Sequence, residues 1–178
     1  MTVASDNFDL LTRIRQHLPK GRDLTMIIIK GHLLVEERLH GLVANAVRDD
    51  SRLADARLTF FQSLCLCEAI CGSSWDECWR FARRLNEVRN RLAHRLDHGD
   101  LNELVDSILS AYDATAPSPS SSTERARWLK NAIMIVCGLL EGLRVGQKHS
   151  KVEMEEAWRS RRGITKRCNG PARRSGPR

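Results

Sequence analysis

The sequence is poor in aromatic residues and has no long hydrophobic run. Its 178 residues include four Trp, four Phe and one Tyr, and the five prolines fall mostly in two clusters. Apolar residues recur at helical rather than alternating spacing, which predicts an all-α fold. No apolar run approaches the roughly 20 residues that a membrane-spanning helix needs. The amino terminus also lacks the basic and apolar regions of a signal peptide, so we expect a cytoplasmic protein with no membrane partner.

The cysteines do not indicate a disulfide framework or a metal site. The chain has six cysteines, and in a cytoplasmic protein such residues are usually reduced core residues. Cys67 and Cys71 share a helical face, but neither a Cys-x-x-Cys pair nor a histidine at metal-ligand spacing accompanies them. We therefore expect the protein to function without a metal or another cofactor.

The positive charge is concentrated at the carboxyl terminus. The chain has a formal net charge of +7, yet residues 159–178 contain eight Lys and Arg and no acid. The rest of the chain carries 21 bases and 22 acids, so the body is electrically balanced. We expect residues 1–158 to form a single helical domain and residues 159–178 to form a basic disordered tail. Such a tail can contact polyanions non-specifically, but it says little about the folded surface.

Apolar periodicity predicts the helices of this domain. The predicted helices span residues 7–18, 23–48, 58–71, 75–96, 101–112 and 124–143. Asp100 is the expected cap of the fifth of these, and a more polar helical piece over 152–158 follows the sixth. A Ser- and Pro-rich segment, 115–122, is predicted to be a flexible loop inside the domain. The apolar stripe on 23–48 is wide, which indicates burial against the bundle and against a second protomer.

One hexapeptide, residues 89–94, reads Arg-Asn-Arg-Leu-Ala-His. At about 100° per residue, Asn90 and His94 fall on one helical face, while Arg89 lies roughly 140° from His94 and reaches the same place through its long side chain. A guanidinium, an amide and an imidazole that converge can grip a phosphate, orient it and transfer a proton. The alternative interpretation is a solvated Arg-rich helix face, because a basic chain produces this spacing by chance.

A small helical bundle with Arg-Asn-x-x-x-His near the end of a main helix resembles the HEPN superfamily. Its best known members are metal-independent endoribonucleases of toxin-antitoxin, phage-defence and CRISPR systems. Arg89, Asn90 and His94 match the three motif positions, and the resemblance covers roughly residues 23–145. It implies an up-and-down antiparallel bundle of about four or five main helices. It also implies a homodimer in which two motifs face each other, with Arg89, Asn90 and His94 as the catalytic residues.

The resemblance also draws attention to residues outside the motif. Some HEPN members carry an acidic residue on the first long helix near the site, and Glu36 and Glu37 are the candidates for it here, with Glu36 as a substrate-binding residue. Leu96 stands where a Tyr follows the His in HEPN toxins that a nucleotidyltransferase antitoxin modifies, so control by tyrosine modification is not expected. His32 and His40 have no partner that the sequence can name.

Two further arginines flank the motif positions. Arg91 and Arg95 are four residues apart and are predicted to bind substrate by extending a positive rim along the RNA backbone. Their alternative role is to pair with Glu87 or Asp97 on the surface of the same helix. The sequence alone favours neither role.

The resemblance predicts a metal-independent endoribonuclease that cleaves RNA by attack of the 2′-hydroxyl at a dimer-interface site. In this reaction His94 transfers protons, Arg89 stabilises the charged phosphorane and Asn90 orients the phosphate. The expected setting is a toxin-antitoxin or phage-defence system, with an antitoxin or regulatory protein as a partner. Two alternatives are a non-catalytic HEPN-like binding module and a dimeric DNA-binding regulator that uses the basic tail. DNA binding is the weaker one, because the sequence shows neither a helix-turn-helix nor a basic stripe in the body.

Overall fold

The described part of the chain contains α-helices and no strand. The computed structural model describes residues 11–47, 49–72, 75–94 and 100–167. Residues 11–17 are helical and form α1. The helices that follow are α2 Leu24–Ala46, α3 Leu53–Ala56, α4 Phe60–Cys71, α5 Asp76–His94, α6 Leu101–Tyr112 and α7 Ser122–Arg167. The predicted all-α class is confirmed for the described residues, although the short α3 was not predicted. None of the described helices is long and apolar enough to cross a membrane.

Side-chain caps fix the starts of two helices near the site. Thr59 and Gln62 form a reciprocal capping box, so α4 begins at Phe60, two residues after the start that periodicity predicts. Asp100 accepts a hydrogen bond from the backbone N–H of Asn102 (2.8 Å) and caps α6, as predicted. Caps of this kind typically contribute about 1 kcal/mol each, enough to define a helix start that periodicity leaves open.

The helix α2 runs through the centre of the core and lies against α7. Gly31 permits this close approach, because a Cβ at this position would overlap the side chain of Ile133. Further along both helices, Arg38 donates to Glu141 (3.2 Å), so α2 and α7 run in the same direction. The core around α2 consists of fully buried large side chains from six of the described helices, among them Ile14, Ile27, Ile28, Leu39, Leu64, Phe81, Leu85, Ile108, Ile133 and Leu140.

The contacts between α5 and α6 show that these helices are antiparallel. Arg80 near the start of α5 donates to the carbonyl of Ala111 (3.5 Å), whereas Arg84, one turn later, donates to the hydroxyl of Ser107 (2.9 Å). The carboxyl-terminal end of α5 therefore lies at the same end of the bundle as Leu101, where α6 begins.

The helices α6 and α7 are parallel, so the strict up-and-down order expected from the HEPN resemblance is wrong at this connection. Ser122 donates to Asn102 (3.2 Å), and Arg125 forms a two-bond ion pair with Asp106 (2.7 and 2.8 Å). Residues 113–121 carry the chain back past the length of α6 before α7 starts. A connection of this length lets the next helix begin at the same end, which a short turn would not allow.

The helix α7 is continuous from Ser122 to Arg167. The helix over residues 152–158 agrees with the polar helical piece that the sequence predicts there, whereas the predicted disorder from residue 159 is not seen as far as Arg167, because the helix continues to that residue. Arg, Lys and Glu are good helix formers, and extending an existing helix requires no new nucleation, so a polar sequence can continue it. Residues 168–178, the remainder of the predicted tail, lie outside the described residues.

The described cysteines are free thiols, but not all of them are the core residues that the sequence predicts, because Cys65 is exposed and Cys71 is half-buried. Cys67, Cys78 and Cys137 are buried, and this burial raises the pKa of each thiol to about 12. These three groups are therefore uncharged at neutral pH and serve as small apolar side chains. Within the described ranges, no group of three or more His, Cys, Asp or Glu side chains is arranged to hold a metal ion.

Candidate active site

The last three turns of α5 carry the Arg-Asn-x-x-x-His motif. Leu85 and Val88 are buried and fix one face of the helix against the core. Arg89 and Asn90 are consequently half-buried at the edge of that face, whereas His94, in the last turn, is exposed. The helix thus presents the three motif side chains along a border between core and solvent.

Arg89 and Asn90 are in direct contact. The guanidinium of Arg89 donates from Nη1 to the amide Oδ1 of Asn90 (3.1 Å). No carboxylate in the described part of the chain pairs with Arg89, so most of its N–H groups stay available for another acceptor. A guanidinium in this state can bind the non-bridging oxygens of a phosphate through charge-assisted hydrogen bonds.

Asn86 extends this contact into the core. Its Oδ1 accepts from the amide Nδ2 of Asn90 (3.5 Å) and lies 3.0 Å from Nε2 of His32 on α2. A carbonyl oxygen can only accept, so the Nε2 of His32 carries a proton and donates to Asn86. Arg89, Asn90, Asn86 and His32 therefore form one hydrogen-bonded chain, which we call the polar relay. It runs from the surface motif to a buried imidazole.

His32 is the buried end of the polar relay. The residue is only 4% exposed, and its ring stacks on Phe60 with centroids 4.2 Å apart. Burial lowers the pKa of His32, and the charge of Arg89 lowers it further, against the hydrogen bond that His32 donates to Asn86 and the charge of Glu36. The imidazole is therefore neutral at neutral pH. Its Nδ1 has no hydrogen-bond partner among the described residues and lies 4.0 Å from Oε2 of Glu36.

The structure separates the two candidate glutamates on α2. Glu37 accepts hydrogen bonds from Arg13 (2.7 Å) and Arg38 (2.9 Å), so its carboxylate holds α1 against α2. Glu36 is half-buried, and its one ion contact within the described residues is the distant one to His32. Glu36 is therefore the glutamate that lies beside the polar relay, and Glu37 has a structural role.

The other predicted site residues lie at the outer end of α5. His94 makes no hydrogen bond or ion pair with any described residue, and its exposed ring is not joined to Arg89 or Asn90. Arg91 is also exposed, and its expected partner Glu87 instead accepts from Arg84 (2.8 Å). The described residues do not include the other three residues named near the motif, which are Arg95, Leu96 and Asp97.

An exposed apolar stripe on α2 lies next to the relay. Met26, Ile29 and Leu33 are 41%, 38% and 55% exposed, although the wide sequence pattern predicts that this face is covered. On a helical projection, Glu36 falls between this stripe and the buried His32. We call Met26, Ile29 and Leu33 the α2 stripe. Exposed apolar side chains that share one helix face are typical of a contact site.

Comparison with protein-family models, with curated proteins and with solved structures finds no match to this chain. The HEPN resemblance therefore stays a prediction that depends on three motif residues and on the helical class. The geometry above is independent of it, because the contacts of Arg89 and Asn90 follow from the fold alone.

Sequence reasoning missed two members of the polar relay. Asn86 precedes Asn90 by four residues, and i to i+4 spacing on a helix places two amides in contact, so a usable signal was present. His32 had no such signal, because its contact with Asn86 joins residues 54 positions apart in the chain. Only the packing of α2 against α5 and α4 brings this histidine to the motif.

Proposed function

We propose that this protein is a metal-independent endoribonuclease of HEPN type that acts as a toxin or phage-defence nuclease. The observation that carries the proposal is the contact between Arg89 and Asn90 near the end of α5, with the half-buried Asn86 behind it. A half-buried guanidinium that has no carboxylate partner among the described residues is suited to binding a phosphate. An exposed imidazole one turn further along the same helix is suited to proton transfer.

Each motif residue has a separate part in the proposed reaction. Attack of a ribose 2′-hydroxyl on the adjacent phosphorus requires removal of one proton, stabilisation of a doubly charged phosphorane and donation of a proton to the departing 5′-oxygen. His94 transfers protons and Arg89 stabilises the added charge. Asn90 accepts from Arg89 and donates to Asn86, so it fixes the plane of the guanidinium.

The proposed catalytic unit is a homodimer. One imidazole cannot readily serve as base and acid on opposite sides of one phosphorus, whereas two facing motifs supply one group for each side. The α2 stripe supports this arrangement, because it is apolar, exposed and adjacent to the polar relay. A two-fold axis through such a patch brings the same residues of both copies together.

Cleavage of RNA by purified protein in excess EDTA tests the proposal. The wild type is compared with Arg89→Ala and His94→Ala on labelled total RNA, after all proteins are shown to be folded and equally dimeric. We expect both variants to lose at least about a hundredfold in rate, in the range of lost general acid-base or oxyanion stabilisation. Arg52→Ala and His17→Ala are matched controls, since both side chains are exposed and lie outside the motif.

A non-catalytic HEPN-like module is the alternative outcome of this experiment. It predicts no cleavage by a wild type that is folded and dimeric, with or without EDTA. Expression in a bacterial host gives a second readout. The nuclease predicts growth arrest that His94→Ala relieves and His17→Ala does not, at equal protein levels.

A further inference from the structure

A basic cleft lies between the end of α1 and the first turns of α7. It encloses about 360 Å³ and is lined by Arg15 and residues 18–22 on one side and by six residues of α7 on the other, namely Thr123, Ala126, Arg127, Lys130, Asn131 and Met134. Five of its lining residues are cationic and none is acidic, the five being Arg15, Lys20, Arg22, Arg127 and Lys130. The sequence alone does not predict this cluster, because the two segments that form the cleft are about a hundred residues apart and residues 1–158 have no net positive charge.

None of the five cations of the basic cleft forms a salt bridge with a carboxylate among the described residues, although the hydrogen bonds with Ser120 lower the pKa of Glu124 and the charge of Arg127 adds to this effect. Arg22 donates to the hydroxyl of Thr123 (2.8 Å) and Lys130 to the carbonyl of Gly21 (2.7 Å), both of which are uncharged acceptors. Arg15 and Arg127 are exposed and make no hydrogen bond with the described residues. Elsewhere in the fold the arginines are mostly committed to carboxylates, as in the pairs of Arg38, Arg83, Arg125 and Arg144.

Acids close to the cleft in sequence are occupied by other contacts. Asp23 accepts from the backbone N–H of Met26 (3.1 Å) and caps α2. Glu124 accepts from the N–H and the hydroxyl of Ser120 (2.8 and 2.7 Å) at the start of α7. The cleft is therefore a concentration of positive charge. The two acids closest to it in sequence, Asp23 and Glu124, form hydrogen bonds at the starts of α2 and α7.

The cleft lies at the same end of the bundle as the motif. His94 ends α5 beside the start of α6, where Asn102 contacts Ser122 of α7 (3.2 Å). The next residue of α7, Thr123, contacts Arg22 in the cleft (2.8 Å). The motif and the cleft are thus separated by about two helix-to-helix spacings, each about 8–10 Å. A flexible single strand of a few nucleotides can span this distance.

We propose that the basic cleft binds the phosphodiester backbone of the RNA whose cleavage the motif performs, and thereby holds the strand beside α5. This inference depends on the proposed nuclease function for its substrate. Arg15 and Arg127 supply planar guanidinium groups for phosphate oxygens. Leu18, Pro19 and Met134 give the cleft an apolar floor for sugar and base. The cleft takes no part in bond breaking.

The test is the binding of a labelled single-stranded RNA to the full chain, followed by fluorescence anisotropy over a range of salt concentrations. All proteins carry His94→Ala so that the RNA stays intact. The test variant adds Arg15→Gln and Arg127→Gln, which remove two positive charges without removing a hydrogen bond between described residues. The control adds Arg52→Gln and Arg57→Gln, which make the same charge change on exposed side chains outside the cleft that likewise form no hydrogen bond with the described residues.

The cleft variant is expected to bind RNA about tenfold more weakly than its parent at low salt. Loss of two phosphate contacts should also reduce the slope of log K against log salt by about 1.4, while the control changes both quantities little. Equal weakening in the control would mean that only overall charge matters, and unchanged binding in the cleft variant would mean that the cleft is not used. Either result overturns the proposal, as does a parent protein that does not bind RNA.

Cleavage assays separate failure of this proposal from failure of the nuclease. With His94 restored, the cleft variant should show a higher KM and an unchanged kcat, because a remote binding contact leaves the chemistry intact. If the cleft binds RNA but the wild type does not cleave it, the nuclease proposal fails and the binding site stands. If the wild type cleaves RNA and the cleft variant matches the control in KM, the cleft proposal fails alone.

Discussion

At the scale of single residues, the polar relay links the motif to the core. Asn90 accepts a hydrogen bond from Arg89 and donates one to Asn86. Asn86 in turn accepts a hydrogen bond from the buried His32. Preorganised donors stabilise developing charge better than mobile ones, because they need no reorientation during the reaction. In the proposed enzyme His32 is therefore a positioning residue that acts through Asn86 and does not itself touch the RNA.

Substitution of His32 tests this positioning role. His32→Leu removes the donor to Asn86 and should lower kcat for RNA cleavage by about tenfold or more, with KM little changed. His32→Gln keeps an N–H donor near the position of Nε2 and should recover most of the rate. If both variants have the same kcat while both are folded, the hydrogen bond to Asn86 does not position the motif.

The depressed pKa of His32 also predicts how stability depends on pH. Because the folded pKa lies below the ordinary value of 6.5, the unfolded chain takes up a proton that the folded chain resists. The contribution of His32 to stability is thus fully present above pH 6.5 and is lost as the pH falls through the folded pKa. Urea unfolding at pH 7.5 and 5.5 should show a smaller loss for His32→Gln than for the wild type. An equal loss in both proteins would contradict the assignment.

At the scale of helices, the packing of α2 against α7 determines how the helices of the bundle are arranged. It brings Gly31 against Ile133 and places Arg38 against Glu141. Two arginines, Arg38 and Arg144, flank the nearly buried Glu141 and lower its pKa, against the effect of its burial. This close packing holds α2 in place, and with it His32, which lies about 100° round the helix from Gly31 and faces Asn86 of α5.

Two glycines on α2 give a matched test of this packing. Gly31→Ala should lower the free energy of unfolding by about 1–3 kcal/mol, because the added Cβ displaces Ile133. Gly41→Ala should raise it by up to about 1 kcal/mol, since its Cβ would meet only Arg144 at 3.6 Å and alanine favours the helix. Chemical denaturation measures both values. Equal effects of the two substitutions would show that α7 does not approach α2 closely at Gly31.

Much of the fold was predictable wherever the determining contacts are local. The periodicity of α2, α5 and α6 and the cap at Asp100 follow from neighbouring residues, and the structure agrees with them. The parallel course of α6 and α7 was not predictable, because the loop over 113–121 fits either direction by length alone. The placement of His32 against Asn86 depends on long-range packing, for which a single sequence carries no pattern.

At the scale of the whole molecule, the proposed dimer relates the α2 stripe, the polar relay and the basic cleft to one another. The α2 stripe is adjacent to the polar relay, and the basic cleft lies at the same end of the bundle as the motif. A dimer formed through the α2 stripe would place two relays near one axis, with one basic cleft on the outer side of each copy. Such an arrangement gives one strand of RNA a path from either cleft to a shared centre.

A charge placed in the α2 stripe should separate the protomers. Leu33→Glu is expected to raise the dimer dissociation constant by at least about tenfold and to reduce cleavage in proportion to the monomer formed, because a buried unpaired carboxylate is strongly unfavourable. Ile135→Glu on α7 is the matched control, since Ile135 is 46% exposed and Leu33 is 55% exposed. Sedimentation velocity measures the association. A fully dimeric Leu33→Glu protein would exclude this face as the interface.

The most direct test of the central claim is cleavage of a defined RNA that contains one 2′-deoxy nucleotide at a mapped cut site, in excess EDTA. The account predicts that the all-ribose RNA is cut to give a 2′,3′-cyclic phosphate and a 5′-hydroxyl, and that the deoxy substitution abolishes cutting at that site. It also predicts that Arg89→Ala and His94→Ala abolish the reaction while Arg52→Ala and His17→Ala do not. Cleavage that persists at the deoxy site, or in either motif variant, would contradict the claim that these residues direct attack by the 2′-hydroxyl.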